Sequence, residues 1–253
     1  MASHHESRAR ALFTEGRFRA VLSVFATGVP TDPVLALNCA EALGEIGSRD
    51  EALRLVTAIE GRMALDDPSV AAQINRVAGA LLLDSGDKAN GAERLRTAIS
   101  LAEACGIPAE GARAALRLFT FVHSSAGRGR SDETLAVAKR LVLRSNQRRL
   151  LADLHSRVGQ AEGQTGNFEA AQRHLSRASE ILEEEPHYAV IARTKLALSS
   201  TLALQCRNDL ATLQAKEALE SAEEVGSVSL VRLCQANVAQ LQFRTGSLRS
   251  ALS

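Results

Sequence analysis

Along much of this chain, apolar and small residues return at four- and seven-residue intervals, a spacing that gathers them on one side of an α-helix. Ala52, Val56 and Ile59 make one such stripe, and Gly91, Leu95 and Ala98 another. Thr134, Ala138 and Leu141, then Ala171, Leu175 and Ala178, then Ala211, Ala215 and Ala218 repeat it. Each stripe begins five residues after a glycine or, in the last case, after Cys206. The fullest copy of the joint is Gly166-Asn167-Phe168-Glu169-Ala170-Ala171, with a glycine two residues before an aromatic and five before an alanine. Gly16-Arg17-Phe18 carries its first half, Gly47 to Ala52 its second, and Gly246-Ser247-Leu248 with Ala251 a softened whole. Gly86 to Gly91 and Gly129 to Thr134 are weaker copies. These glycines, with Cys206 in the sixth slot, are separated by 31, 39, 43, 37, 40 and 40 residues. A period of this size predicts stacked two-helix units, each hiding its apolar side against the next.

The punctuation agrees. All five prolines (Pro30, Pro33, Pro68, Pro108 and Pro186) fall between helical patterns, where a residue without an N–H belongs. At Asp32-Pro33 the aspartate is placed to cap a helix and the proline to occupy its first position. Gly106-Ile107-Pro108 reads as a helix stop. Ala126-Gly127-Arg128-Gly129 reads as a looser, longer turn, with Ser131-Asp132-Glu133 capping the helix that follows. The predicted units run approximately over 6–28, 32–62, 69–106, 109–146, 148–184, 187–225 and 228–253, the last incomplete. Leu248-Arg249-Ser250-Ala251-Leu252 starts a second helix that the sequence does not finish. Because solenoids need polar terminal repeats, the chain is expected to belong to a longer polypeptide. No alternating β-branched run occurs, so the predicted class is all-α.

Composition narrows the picture further. With 45% hydrophobic residues but only 3% aromatic ones, the core has to be built of Leu, Ala and Val in closely approaching helices. A net charge of +1 provides no global field to recruit nucleic acid or an anionic membrane. The four cysteines (Cys39, Cys105, Cys206 and Cys234) lack Cys-x-x-Cys spacing and read as small buried hydrophobes in a reducing compartment. The N-terminus has no apolar signal stretch, and the apolar runs around Ala114–Val122 and Leu196–Leu204 are too short to span a bilayer. A cytoplasmic protein is expected.

These joints resemble the tetratricopeptide repeat, whose second helix follows a Gly-x-aromatic-x-x-Ala turn with apolar residues four and seven places after the Ala. The small residue of the family's first helix, seven before the turn glycine, is matched by Gly79 and Gly159 and by Ala40 and Ala239. The family's usual period is 34, whereas this chain averages nearer 38 to 40. Longer second helices, ending in Leu-Ala-Glu-Ala-Cys-Gly (101–106) and Ser-Ala-Glu-Glu-Val-Gly (221–226), are similar to those of bacterial regulatory ATPases and maltose-regulator-type transcription activators, and of peptide-sensing regulators. The resemblance covers nearly the whole chain and implies a right-handed α-solenoid of six to seven helix pairs. It also implies a concave groove lined by the first helix of each unit. Counting from the turn residues, the groove positions are Glu41, Gln73, Arg76, Ser156, Gln160, Arg193, Ser200 and Gln240.

No catalytic set emerges. Gly127-Arg128-Gly129-Arg130-Ser131 lacks the Gly-Lys-Ser/Thr ending and the preceding strand of a phosphate loop. His4-His5-Glu6 has no third anchor nearby. His123, His155, His174 and His187 are scattered over different helices, and His155 reads as a half-buried structural residue. No serine lies in a Gly-x-Ser-x-Gly elbow. No enzyme activity, cofactor or metal is predicted. Lys139, Arg140, Arg144, Arg148 and Arg149 make a locally basic stretch without the interleaved aromatics of a nucleic-acid groove. It reads as a solvated face or a seat for an acidic peptide. Glu180, Glu183, Glu184 and Glu185 crowd a helix C-terminus, where carboxylates oppose the helix dipole, and read as solvating charge.

The function these observations predict is a protein-interaction scaffold that holds a peptide or protein segment in its groove. It is expected as the sensory or regulatory part of a bacterial signalling or transcription protein. Two alternatives stay open: an accessory arm of an enzyme whose catalytic domain follows Ser253, and a peptide- or ligand-sensing receptor. Membrane partners are not expected and nucleic acid is disfavoured, while the uncapped last repeat offers a route to a homo-oligomer.

Overall fold

A computed structural model describes residues 2–26, 28, 30–62, 67–126, 128–244 and 246, which form thirteen α-helices and no strand among the described residues. They come in antiparallel pairs: α1 (Ala2–Thr14) with α2 (Phe18–Val24), α3 (Pro33–Glu45) with α4 (Arg49–Arg62), and α5 (Pro68–Ser85) with α6 (Lys88–Ala104). Next are α7 (Pro108–Ala126) with α8 (Arg128–Ser145), α9 (Arg148–Gln164) with α10 (Phe168–Glu184), and α11 (Tyr188–Leu204) with α12 (Asn208–Val225). The last helix, α13, spans Val228–Arg244. The second helix begun by residues 248–252 lies outside the described residues.

Two helix starts, those of α3 and α5, are made by an aspartate followed by a proline. The Asp32 carboxylate accepts the Leu35 N–H at 2.8 Å with Pro33 at the first helical position, and Asp67 does the same for Ser69 (2.8 Å) ahead of Pro68. The joint at Gly166 turns through the left-handed region, with φ at +84°. The sixth joint does so too, although Cys206 occupies it at φ +60°. One joint differs from expectation. The helix α8 begins at Arg128 rather than after Ser131, and Gly129 lies inside it with no left-handed turn. Ser131 is buried there, its hydroxyl 3.1 Å from His123 Nδ1 on α7, so the first turn of α8 is held beside the end of its partner.

Each helix packs on its partner and on the first helix of the next unit, so the core is continuous rather than central. The apolar stripes are the pair interfaces. Leu95, Leu141 and Leu175 are completely buried, as are Ala138, Ala171, Ala178, Ala211, Ala215 and Ala218. Small residues set the spacing: a methyl at Gly79 would come within 2.9 Å of the Gly91 carbonyl oxygen. One at Gly159 would meet the Leu175 Cγ at 2.7 Å. Of the cysteines, Cys39 and Cys234 are buried as expected, whereas Cys105 is half-exposed and Cys206 exposed, because both stand at helix ends.

After these repeats the solenoid meets its own beginning. The Tyr188 amide donates to the Glu15 carbonyl at 2.9 Å, and Arg149 Nη1 donates to the Thr14 carbonyl at 2.7 Å. Arg17 pairs with Glu224 at 3.3 Å and lies over the Tyr188 ring. Ser227, just before α13, donates to Glu45 at the end of α3 (3.0 Å). Phe18, Val21 and Ala42 share an apolar cluster with Ala189, Ala218, Val225 and Leu230. The stack therefore closes into a ring around an interior space.

Candidate functional site: an arginine-lined channel

That space is a cavity of about 720 Å³, within the size range of ligand sites. Its wall comes from the first helix of every pair and from α13, with Phe18 and Arg49 as additions from second helices. Polar side chains projecting from these inner faces find one another across neighbouring units, and the result is a ladder of charges.

At one end Arg76 on α5, with its side chain only 7% exposed, sits between Glu41 on α3 (2.8 Å) and Glu110 on α7 (2.7 Å), and Glu110 also receives Arg113 at 3.0 Å. Burial works against the Arg76 charge, but the two glutamates outweigh it and raise its pKa. One step further, Arg117 on α7 pairs with Asp84 on α5. Then Asp153 on α9 is gripped by Arg157 (3.0 Å) and by Arg193 on α11 (3.2 Å), while Arg157 also donates to Thr120 on α7 at 2.7 Å. Burial favours protonated Asp153, yet the two arginines overcome it and hold the carboxyl down at about 2. On the far side, Ser199 donates to Asn237 on α13 at 2.8 Å, and Asn237 donates to Ser200 at 3.3 Å.

At the closing seam, burial and then the Arg193 charge push the His187 pKa down to about 4, so its neutral Nδ1 accepts the Val190 amide (3.4 Å) and caps α11. Glu45 is shifted the other way, its pKa raised by burial.

Six of the eight predicted groove residues line this wall: Glu41, Arg76, Gln160, Arg193, Ser200 and Gln240. Gln73 lies off it, and Ser156 is buried between α9 and α11, accepting the Thr194 hydroxyl at 2.9 Å. Both are three residues from a wall residue, Arg76 and Asp153 respectively, and about a sixth of a turn off the inward direction. The turn count gave no candidate on α7, whose joint is not at Gly129. It therefore missed Arg113 and Arg117, which lie four residues apart on one side of that helix. Arg49, Asp153, Arg157 and His187 were missed as well. Arg49 carried no signal, since it belongs to a second helix.

The basic stretch does not form one surface. Arg140 pairs with Glu103 (2.6 Å), Arg148 with Glu184 (2.5 Å) and Arg149 with Glu185 (3.7 Å), so two of the four crowded glutamates have arginine partners at the start of α9, while Glu180 pairs with Arg177 within α10. Of the five, only Arg149 reaches the channel wall. Outside the channel, His155 and His174 approach Nδ1 to Nδ1 at 2.8 Å, a pairing that their sequence separation hides. Burial lowers both pKa values, and Lys139 contributes to each.

An all-α stack of helix pairs around a polar inner wall is the tetratricopeptide-like helical-repeat architecture. Solved structures share it. The chain is similar to a Rap protein complexed with Competence and Sporulation Factor, with a TM-score of 0.68 and 11% identity over 97% of this chain and 80% of that one. The apo form of RapI aligns with a TM-score of 0.59 and 14% identity over 87% of this chain and 93% of the other. BtubC (BKLC) from P. vanneervenii aligns with a TM-score of 0.54 and 16% identity, covering 88% and 90%. At such identities the likeness is one of fold. No family model matches the sequence, and neither does any curated protein.

Proposed function

We propose that this protein is a non-catalytic interaction scaffold that holds an extended segment of peptide or protein inside its channel. In this reading it is the sensory or regulatory part of a bacterial signalling or transcription protein. The observation that carries it is the inner wall itself. Seven first helices deliver polar side chains to one open cavity, and the ladder of ion pairs fixes their positions without filling the space. Prepositioned polar groups with an apolar backing are what a bound segment needs, because less ordering remains to be done on binding. The same fold in a Rap protein complexed with Competence and Sporulation Factor supports the reading.

The test fills the channel without touching the ladder. Ser200 and Gln240 are exposed residues of the wall, and among the described residues neither pairs with a charged group. Peptides selected on the wild-type chain from a displayed random library are expected to lose at least about tenfold in affinity for Ser200→Trp and Gln240→Trp, with melting temperature unchanged. Selected peptides that bind both variants as tightly as the wild type would place recognition on another surface.

A further inference from the structure

The charges on the channel wall do not cancel, and the excess is local. Seven arginines line the cavity against four carboxylates, those of Glu41, Glu45, Asp84 and Asp153, in a chain whose net charge is only +1. Glu110 and Glu185, which pair with Arg76 and Arg149 from just off the wall, bring the carboxylates to six and still leave one arginine in excess. One carboxylate, Asp153, serves two arginines. Arg49 has no carboxylate within ion-pair distance among the described residues. Arg49, Arg117 and Arg193 are only partly buried, and all three lie on the wall. The positive field acts on the titrating groups too: it holds Asp153 ionised down to about 2 and adds to burial in keeping His187 neutral.

The other part of the wall is apolar. Leu204 at the end of α11 and Leu233 on α13 are each 56% exposed, and Ala236 lies on the same wall. Large aliphatic side chains left half-bare inside a cavity mark a surface made for contact.

We propose that the segment held in the channel is acidic: a short peptide stretch whose carboxylates meet the partly exposed guanidinium groups of Arg49, Arg117 and Arg193 while a neighbouring aliphatic side chain lies on Leu204 and Leu233. This rests on the channel being a peptide site. A guanidinium offers carboxylate oxygens two parallel donors, so the arginines select charge and orientation together. The aliphatic contact explains why a peptide, rather than a bare anion, completes the site.

The test uses three fluorescent peptide pools of equal length on the full chain, each rich in leucine and otherwise Asp/Glu, Ser/Asn or Lys/Arg, with inorganic pyrophosphate as a competitor. The acidic pool is expected to bind at least about tenfold tighter than the neutral one. Raising salt from about 0.05 M to about 0.5 M is expected to erase most of that difference. Arg49→Gln and Arg117→Gln are each expected to weaken acidic binding by roughly tenfold, and Leu233→Ser to weaken it as well. Arg96→Gln, on the exposed side of α6, leaves it unchanged. Neutral or basic peptides that bind as tightly, and are expelled by Ser200→Trp, would overturn the acidic preference while leaving a peptide channel standing. Pyrophosphate that binds by itself, tightly enough to displace every pool and with the same loss in Arg49→Gln, would overturn the peptide as occupant. A channel that captures no pool at all removes both readings.

Discussion

Cys206 holds a backbone conformation that five other joints give to glycine, among them Gly47 and Gly166. At φ +60° its Cβ crowds the following carbonyl, a strain of roughly 1 kcal/mol that glycine avoids. Cys206→Gly is therefore expected to raise stability by about 0.5–1 kcal/mol despite the looser unfolded chain, read from urea midpoints. A lower midpoint would mean the turn is not strained. Gly79 is the opposite case. It lies within a helix, where alanine is favoured by about 1 kcal/mol, yet a methyl there would come within 2.9 Å of the Gly91 carbonyl oxygen and 3.0 Å of the Leu95 nitrogen. Backbone atoms cannot step aside as side chains do. Gly79→Ala is expected to cost about 1–3 kcal/mol, and a neutral effect in the same titration would show that α5 and α6 can part cheaply. Both positions were readable from spacing alone, because turn chirality and close helix approach are local demands.

Elements depend on how their ends are satisfied, and α11 depends on a proton being absent. Its cap is the unprotonated Nδ1 of His187, whose pKa is pushed down to about 4. In the unfolded chain the same imidazole takes its proton near 6.5. The unfolded state thus binds more protons below that value, and stability falls as pH drops from about 6.5 towards 4. His155 and His174 are shifted the same way by burial and add to the loss. Asp153 behaves in the other sense and in a lower window. Its stabilisation is complete above the unfolded carboxyl value near 3.9 and disappears as pH falls towards 2. His187→Asn keeps a capping acceptor without the titration. Its urea midpoint is expected to fall less than the wild type's between pH 7 and pH 4.5, and parallel slopes would clear His187 of the role. The α7–α8 joint shows the limit of local reading. A run of two glycines and two arginines looks like a loop, but the contact between Ser131 and His123 lets the helix start within it.

In the whole molecule the decisive feature is closure. An open solenoid presents a groove, whereas this one brings α1 and α2 against the α11–α13 region and encloses a channel. The seam is held by two backbone acceptors, Thr14 and Glu15, and by Arg17 between Glu224 and Tyr188. Arg17→Glu sets like charges against each other there and removes the cation from the ring. Amide exchange at Tyr188 is expected to quicken by about tenfold while that within α9 and α10 is unaltered. Unchanged protection at Tyr188 would show that the apolar cluster alone keeps the ring shut.

The amino-acid sequence by itself determined the helix pairs, the Asp32 cap, the small residues at their crossings and the inward side of most first helices. All of these follow from contacts within about one helical turn or from chain geometry at a joint. Only the tertiary structure decided that the ends meet, that Arg49 and Arg117 face the same space as Arg193, and that His155 touches His174. Their partners are fixed by a small rotation between units that accumulates around the ring, and no single repeat records that sum.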